Sequence, residues 1–221
     1  GTQIGTSAFN TSSNDNAYVG YMYESNQVHG LGTSSTIKGV LDTWYTNNLR
    51  SYEDDLDGNA GFCGDREPST SSSSSNGSGG TGTTQTYYGA YIRLYTNKAP
   101  TFECENESDS YTTSGSEDGN RALTYPIGLI SADEVSYAGG LYYQSDGSAN
   151  NSNYYLYTEQ GYWTMSPYNY GGTVNIFHVS PSGYFDNHWS YGELAIRPVI
   201  NLKADIQLSG SGTSTDPYVV V

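Results

Sequence analysis

The apolar positions of this chain change period along its length. Across "SSTIKGVLDTWYTNNLRSY" (34–52) large side chains recur every three or four residues, at Ile37, Val40, Leu41, Trp44, Tyr45 and Leu49. That spacing lines one face of a helix, and Ser34 or Ser35 can cap its start. A second, shorter helix is predicted at "SADEVSYAGG". There Ser131 and Glu134 form a capping box, Val135 and Ala138 face inward and Gly139 ends the run. Elsewhere the period falls to two. "AYVGYMYE" (17–24) and "YYGAYIRLY" (87–95) read as strands, and "TFECENE" (101–107) as a shorter one. After Gly140 every candidate is a strand: "LYYQS", "YYLYT", "YWTMSP", "VNIFHV", "GYFDN", "LAIRPVINL" and "YVVV", divided by Gly, Asn, Ser and Asp turns. Pro198 cannot donate to a ladder, so its strand is an edge or is bulged there. Two helices ahead of a β-rich C-terminal half give an α+β fold.

The low-complexity run "STSSSSSNGSGGTGTTQT" (69–86) interrupts this order. Alone it reads as a linker, but Cys63 precedes it and Cys104 follows it, so a bond between them would tie its flanks together. Residues 1–221 therefore read as a single domain, with 69–86 as a flexible Ser/Gly-rich surface insertion. Composition sharpens the picture. The chain holds 23 Tyr and 27 Gly, and its only lysines are Lys38, Lys98 and Lys203. So many aromatics argue against disorder. Tyr carries apolar area with a wet hydroxyl, which suits half-exposed strands and contact surfaces. Eight Lys and Arg against 23 Asp and Glu leave a net charge of −15, which repels nucleic acid and anionic membranes. No apolar run approaches the ~18 residues of a membrane span, so no membrane insertion is expected. The polar opening "GTQIGTSAFNTSSND" shows no signal-peptide pattern, so an exported form would be processed or a fragment. Secreted bacterial surface proteins often have a composition of this kind. An extracellular setting favours an oxidised Cys63–Cys104 pair over two buried thiols.

Few segments suggest chemistry. In "EDDLDGN", Glu53, Asp55 and Asp57 alternate ahead of Gly58 and Asn59, like the opening of a calcium loop. Glu replaces the usual first Asp, and Gly64 stands where a bidentate acid is required; the other reading is a solvated acidic turn. Calcium is the one candidate cofactor. His29, His178 and His188 never fall at helical metal spacing, though "FHVSPSGYFDNHW" sets two of them across a hairpin. There is no G-x-S-x-G elbow, no phosphate-cradling loop and no thiol in an electropositive setting, so no enzyme is expected. Sequons at Asn10, Asn76, Asn106 and Asn150 mark exposed loops. In "YWTMSPYNYGG" (162–172), Tyr162, Trp163 and Met165 belong to a strand that Pro167 stops, and "YNYGG" forms a loop from which Tyr168 and Tyr170 project. With Tyr184, Asn187, His188, Trp189 and Tyr191 they make a candidate contact face akin to an aromatic paratope.

Several segments, taken together, also resemble a known family. "YPIGLISADEVSYAGG", "YYLYT…GYWTMSP", "FHVSPSGYF" and "ELAIRPVINLKADI…GSGTSTDPYVV" are similar to an extracellular domain of bacterial, chiefly gut Gram-positive, surface and pilin-like proteins. "STIKGVLDTWYTNNL", "AGFCGDREP" and "YYGAYIRLYTNKAPTFEC" extend the resemblance over roughly residues 30–221. The order W-T-x-S-P…F-x-V…G…I-R-P-V is similar, more weakly, to the C-type-lectin-like fold of formylglycine-generating-enzyme-like domains. These resemblances imply a C-type-lectin-like mixed fold, a Cys63–Cys104 pair and buried structural roles for Trp163 and Arg197. They supply no catalytic residue: no cysteine follows Cys104, as formylglycine generation requires, and a pilin's N-terminal apolar helix is missing from the chain. The function implied is a non-enzymatic cell-surface structural or adhesive module, pilin-like or an appendage subunit. Its Tyr/Asn-rich loops would meet further copies of itself, or a host glycan or protein. The alternative is a lectin-like or retroelement-diversified ligand-binding domain.

Overall fold

A computed structural model of the protein describes residues 3–70, 78–142, 151, 154, 156–213 and 215–221. In chain order, β1 (Thr6–Ser7), β2 (Met22–Tyr23) and β3 (Thr33–Ser34) precede helix α1 (Thr36–Asn48). Then come β4 (Phe62–Cys63), β5 (Thr86–Tyr87) and α2 (Gly89–Tyr91), which a π-helical turn continues over Ile92–Asn97. β6 (Ser110–Tyr111), α3 (Ala132–Tyr137) and β7 (Leu141–Tyr142) follow. The long strands β8 (Tyr162–Tyr170), β9 (Val174–Val179) and β10 (Tyr184–Trp189) form a meander, and β11 (Leu194–Ala195), β12 (Leu208–Ser209) and β13 (Val219–Val220) come last. Seven strands make one mixed sheet in the order β1-β11-β8-β9-β10-β7, with β5 also paired to β8. Helices and mixed sheet together are the α+β class read from the sequence.

The sheet is buried on both faces. Trp163, Met165, Tyr170, Val174 and Ile176 share one core with Phe9 and with Ile37, Leu41 and Tyr45 of α1. Tyr162, Phe177, Val179 and Phe185 share the other with Ala90, Tyr91 and Leu94 of the α2 region and Ala132 and Val135 of α3. The alternation of strand side chains explains the division. Trp163, fully buried, donates its indole N–H to the Ser7 carbonyl at 2.8 Å and meets Phe9 edge-on at 6.0 Å. Arg197, 8 % exposed, lies over the Tyr162 ring at 4.6 Å and donates to the Leu156 carbonyl.

Both predicted helices form. Ser35 caps α1 by accepting from the Lys38 amide, and its buried stripe narrows to Ile37, Leu41 and Tyr45, with Val40, Trp44 and Leu49 half-buried at its margin. The Ser131–Glu134 capping box of α3 is closed in both directions.

Three predicted strands do not form. Asp15 accepts from the Ala17 amide and winds Asn16–Val19 into a 3-10 turn, leaving only Met22–Tyr23 of "AYVGYMYE" extended. "YYGAYIRLY" becomes helical after Tyr87, because Ala90, Tyr91 and Leu94 turn to the core at one- and three-residue spacing. Tyr87, Tyr91 and Tyr95 then meet ring to ring at 4.8 and 5.2 Å, a four-residue repeat that alternation disguised. "TFECENE" stays irregular, since β4 pairs with β6 instead. "LAIRPVINL" keeps only Leu194–Ala195 as strand, with one further bridge from Val199 to Gly128. Parts of "LYYQS" and "YYLYT" lie outside the described residues, and the described part of the latter is not a strand.

Cys63 and Cys104 are bonded, with Cα atoms 5.5 Å apart and a sequence separation of 41. Part of the Ser/Gly run between them is held firmly. Buried Asn16 donates to the carbonyls of Thr81, Gly82 and Thr84 and accepts from the Tyr88 hydroxyl, and Thr86 is fully buried. Residues 71–77 of that run lie outside the described residues.

Two measurements test this layout. Replacing Cys63 and Cys104 together by Ser should cost roughly 2–4 kcal/mol in a denaturant titration, the entropy of a loop this long. Trp163→Ala should cost about 3–5 kcal/mol, as for any large aromatic removed from a packed core.

Candidate functional site

The seven residues expected to form a contact face separate into two groups. β8 does not stop at Pro167. It runs to Tyr170, because Pro167 falls between two register shifts in the β8–β9 ladder, where a missing N–H costs little. Between Pro167 and Asn169 one extra residue faces a single step of β9, which reverses the in–out order. Tyr170 thereby enters the α1-side core, 3 % exposed, its hydroxyl donating to the Asn14 carbonyl. Tyr168 turns to the opposite side, against Tyr91 at 4.9 Å and Phe177 at 5.1 Å, with its hydroxyl 3.1 Å from that of Tyr142. Burial raises the Tyr142 phenol to about 12 and raises Tyr168 further still. Tyr184 is 8 % exposed. None of these three projects as expected.

Trp189 and Tyr191 do. They are 52 % and 46 % exposed and stack on each other, centroids 5.6 Å apart and planes 18° from parallel. His188 points to the other side of the sheet, 6.0 Å from the Trp163 ring and 5.7 Å from His178. Its Nδ1 accepts from the Trp189 amide at 2.8 Å, which fixes the strand end. His178 is held neutral: burial lowers it to about 4 against the opposing charge of Asp186. Asn187, half-buried, donates to Asp186 at 3.1 Å.

The strand register reveals what surrounds Trp189. Tyr87 of β5 faces Asn169 of β8, Asn169 faces Asn175 of β9, and Asn175 faces Trp189 of β10. Directly opposed residues point the same way. Val174 and Ile176 flank Asn175 and enter the α1-side core, so this row lies on the other face. Asn175 Nδ2 donates to Asn169 Oδ1 at 2.9 Å and to the Thr173 carbonyl at 3.2 Å. The result is an aromatic–amide–amide–aromatic row across four strands, with no charged side chain in it. Sequence reading missed Tyr87, Asn169 and Asn175. The signal lay in "VNIFHV", where Asn175 is the one polar residue at its end of an otherwise apolar strand.

Ionic groups gather elsewhere and act as braces. Arg93 donates to Asp65 at 2.5 Å and to Asp133 at 2.9 Å, with Glu105 at 3.3 Å, beside a cavity of about 90 Å³ next to the disulfide. Burial raises the Asp65 carboxyl to about 7 while the Arg93 charge pulls it back. Burial also opposes the Arg93 charge, but Asp133 and Asp65 more than reverse that. Arg66, 1 % exposed, binds Asp109 at 2.7 Å and the carbonyls of Met22 and Gly30 at 2.8 Å. His29 sits 3.1 Å from Asp109 and 3.2 Å from Glu67.

The acidic run forms a turn after α1 that is exposed at Glu53 and Asn59. Glu53 lies exposed in the 3-10 turn Arg50–Asp55, Asn59 is exposed, and Asp57 Oδ1 accepts from the amides of Asn59 and Ala60. The Asp55 carbonyl accepts from Lys203. Among the described residues no three His, Cys, Asp or Glu side chains are grouped to hold a metal ion. Two sequons are not open loops: Asn10 is 3 % exposed, and the Asn106 amide lies 3.2 Å from His29 Nε2. Asn76 and Asn150 fall outside the described residues. No helix among the described residues is long and apolar enough to cross a membrane.

No protein-family model matches the chain, and neither the curated proteins nor the solved structures contain a match.

Trp189→Ala combined with Tyr191→Ala should leave stability within about 0.5 kcal/mol, whereas Arg93→Met should cost about 3–5 kcal/mol by stranding Asp65 and Asp133; denaturant titrations read both. Thermal melts against pH test His29. Contact with Asp109 is the main cause that raises it above 6.5. Burial works against the Asp109 charge, but His29 and Arg66 outweigh that and lower its pKa below 3.8. The His29 contribution is complete below 6.5 and fades as pH rises through its raised value; the Asp109 contribution fades only as pH falls below 3.8. Because Asp65 and His178 also titrate in this range, the test is the difference between the native protein and His29→Gln: the native melting temperature relative to that of the variant should fall as pH rises from 6.5 through the raised His29 value.

Proposed function

We propose that the protein is a non-enzymatic module of a bacterial cell surface, structural or adhesive, that works by presenting a rigid face to a partner. The observation that carries this reading is the exposed Trp189–Tyr191 stack at the end of a strand anchored in a two-sided core. Aromatic rings held at low entropy cost are the usual energetic centre of a contact surface. The disulfide fits an extracellular setting, and the charge of −15 suits a soluble surface protein that avoids nucleic acid. We carry the pilin-like or appendage family, and a C-type-lectin-like form of the α+β fold, as part of this proposal. They rest on the sequence resemblance, and helices on both faces of a mixed sheet accord with the second. The alternative, a lectin-like or diversified ligand-binding domain, is favoured by the amide row beside the aromatic stack.

The test is electron microscopy of the native protein together with binding to host cells and surface proteins. Ordered assembly or adhesion should weaken about tenfold or more in Trp189→Ala with Tyr191→Ala, at unchanged melting temperature. Turnover of a glycan, abolished by one carboxylate substitution, would overturn the non-enzymatic reading.

A further inference from the structure

We propose that the row Tyr87–Asn169–Asn175–Trp189 is a binding platform for neutral, β-linked oligosaccharides whose ring substituents are equatorial, of the glucose or N-acetylglucosamine type. The inference rests on the contact-module reading and names its ligand class.

Three features select that class. The first is the pairing of groups. Asn175 Nδ2 is engaged with Asn169 Oδ1, which among the described residues leaves Asn175 Oδ1 as an open acceptor beside the open amide donors of Asn169. One acceptor and one donor side by side match two neighbouring hydroxyls, each of which can donate and accept. Apolar partners would leave both amides unsatisfied on burial. The second is the pair of flanking rings. A pyranose with equatorial substituents presents flat C–H faces above and below, and these lie on an aromatic face as an apolar surface does. Trp189, 52 % exposed, offers such a face, backed by the stacked Tyr191, and half-buried Tyr87 closes the other end. The third is length and charge. Four adjacent strands span three spacings of about 4.8 Å, or ~14 Å from Tyr87 to Trp189, which exceeds one sugar ring and calls for a chain. The row carries no charge on a chain of net charge −15, so an acidic glycan would approach against repulsion, and a neutral glycan would not.

The experiment is calorimetric titration of the intact protein with cello- and chito-tetraoses, the corresponding monosaccharides and a sulfated or uronic tetrasaccharide. Saturable binding of a neutral tetraose is expected, stronger than that of its monosaccharide and of the acidic glycan. Trp189→Ala should weaken it about tenfold and Asn175→Ala several-fold, with melting temperatures unchanged. Failure of both neutral tetraoses to bind at millimolar concentration, or binding untouched by Trp189→Ala, would overturn the assignment. If the sugars fail while Trp189→Ala with Tyr191→Ala still abolishes assembly or adhesion, the glycan class falls and the contact module stands. If that double variant alters neither, both fall.

Discussion

Everything in this fold is referred to one strand that is buried along Tyr162–Pro167 and packed against a core on each side. Over Tyr162–Tyr170, β8 sends Trp163, Met165 and Tyr170 into one core and Tyr162 and Tyr168 toward the other. Its polar residues are used internally: Thr164 donates to the Phe177 carbonyl, and Ser166 accepts from the Ala132 amide at the start of α3. The Met165 amide reaches the Ile130 carbonyl, so even the edge not covered by β11 or β5 is occupied. A strand committed on both faces fixes the register of β9 and β10, because a slip of one residue would drive Asn175 and Asn187 toward the α1-side core. The exposed end of β10 inherits that rigidity.

Outside the sheet, charge is spent on cohesion. With only eight cationic side chains, the chain places Arg66 and Arg93 among carboxylates that would otherwise repel. Arg93 joins the turn after α2 to α3 and to Asp65 near the disulfide, and Arg66 joins the β2–β3 hairpin to Asp109 before β6. The Cys63–Cys104 bond closes the same region. Half of the molecule with little regular structure is thus held by ion pairs and one covalent tie, while the half with long strands is held by aromatic packing. The row that ends at Trp189 belongs to the second half and has no charged member.

The elements legible in the sequence were those with a local cause. The α1 stripe and the α3 capping box depend on neighbours three and four residues away, and both formed as read. The meander β8–β9–β10 was visible as alternation with turns between. What could not be read depended on partners far along the chain. Tyr170 looked exposed because the shift that reverses its side arises only in pairing with β9. "YYGAYIRLY" alternates and repeats every four residues at once, and tertiary packing of Ala90, Tyr91 and Leu94 decided for the helix. Of the candidate face, Asn187, Trp189 and Tyr191 were named from composition, but Asn169 and Asn175 became neighbours of Trp189 only through register. Arg66 drew no notice in "GDREP", since burial of a single Arg leaves no trace in local pattern.

The contact module we propose would act by shape: β8, packed on both sides, sets the register in which β9 and β10 hold Asn175 and Trp189 beside Asn169. The most direct measurement is hydroxyl-radical footprinting of the native protein, read residue by residue by mass spectrometry. Trp189 and Tyr191 should be modified rapidly, while Trp163, Tyr162 and Tyr170 stay protected until the protein unfolds. Modification of Tyr170 as fast as that of Tyr191, or protection of Trp189 in the isolated protein, would contradict the account.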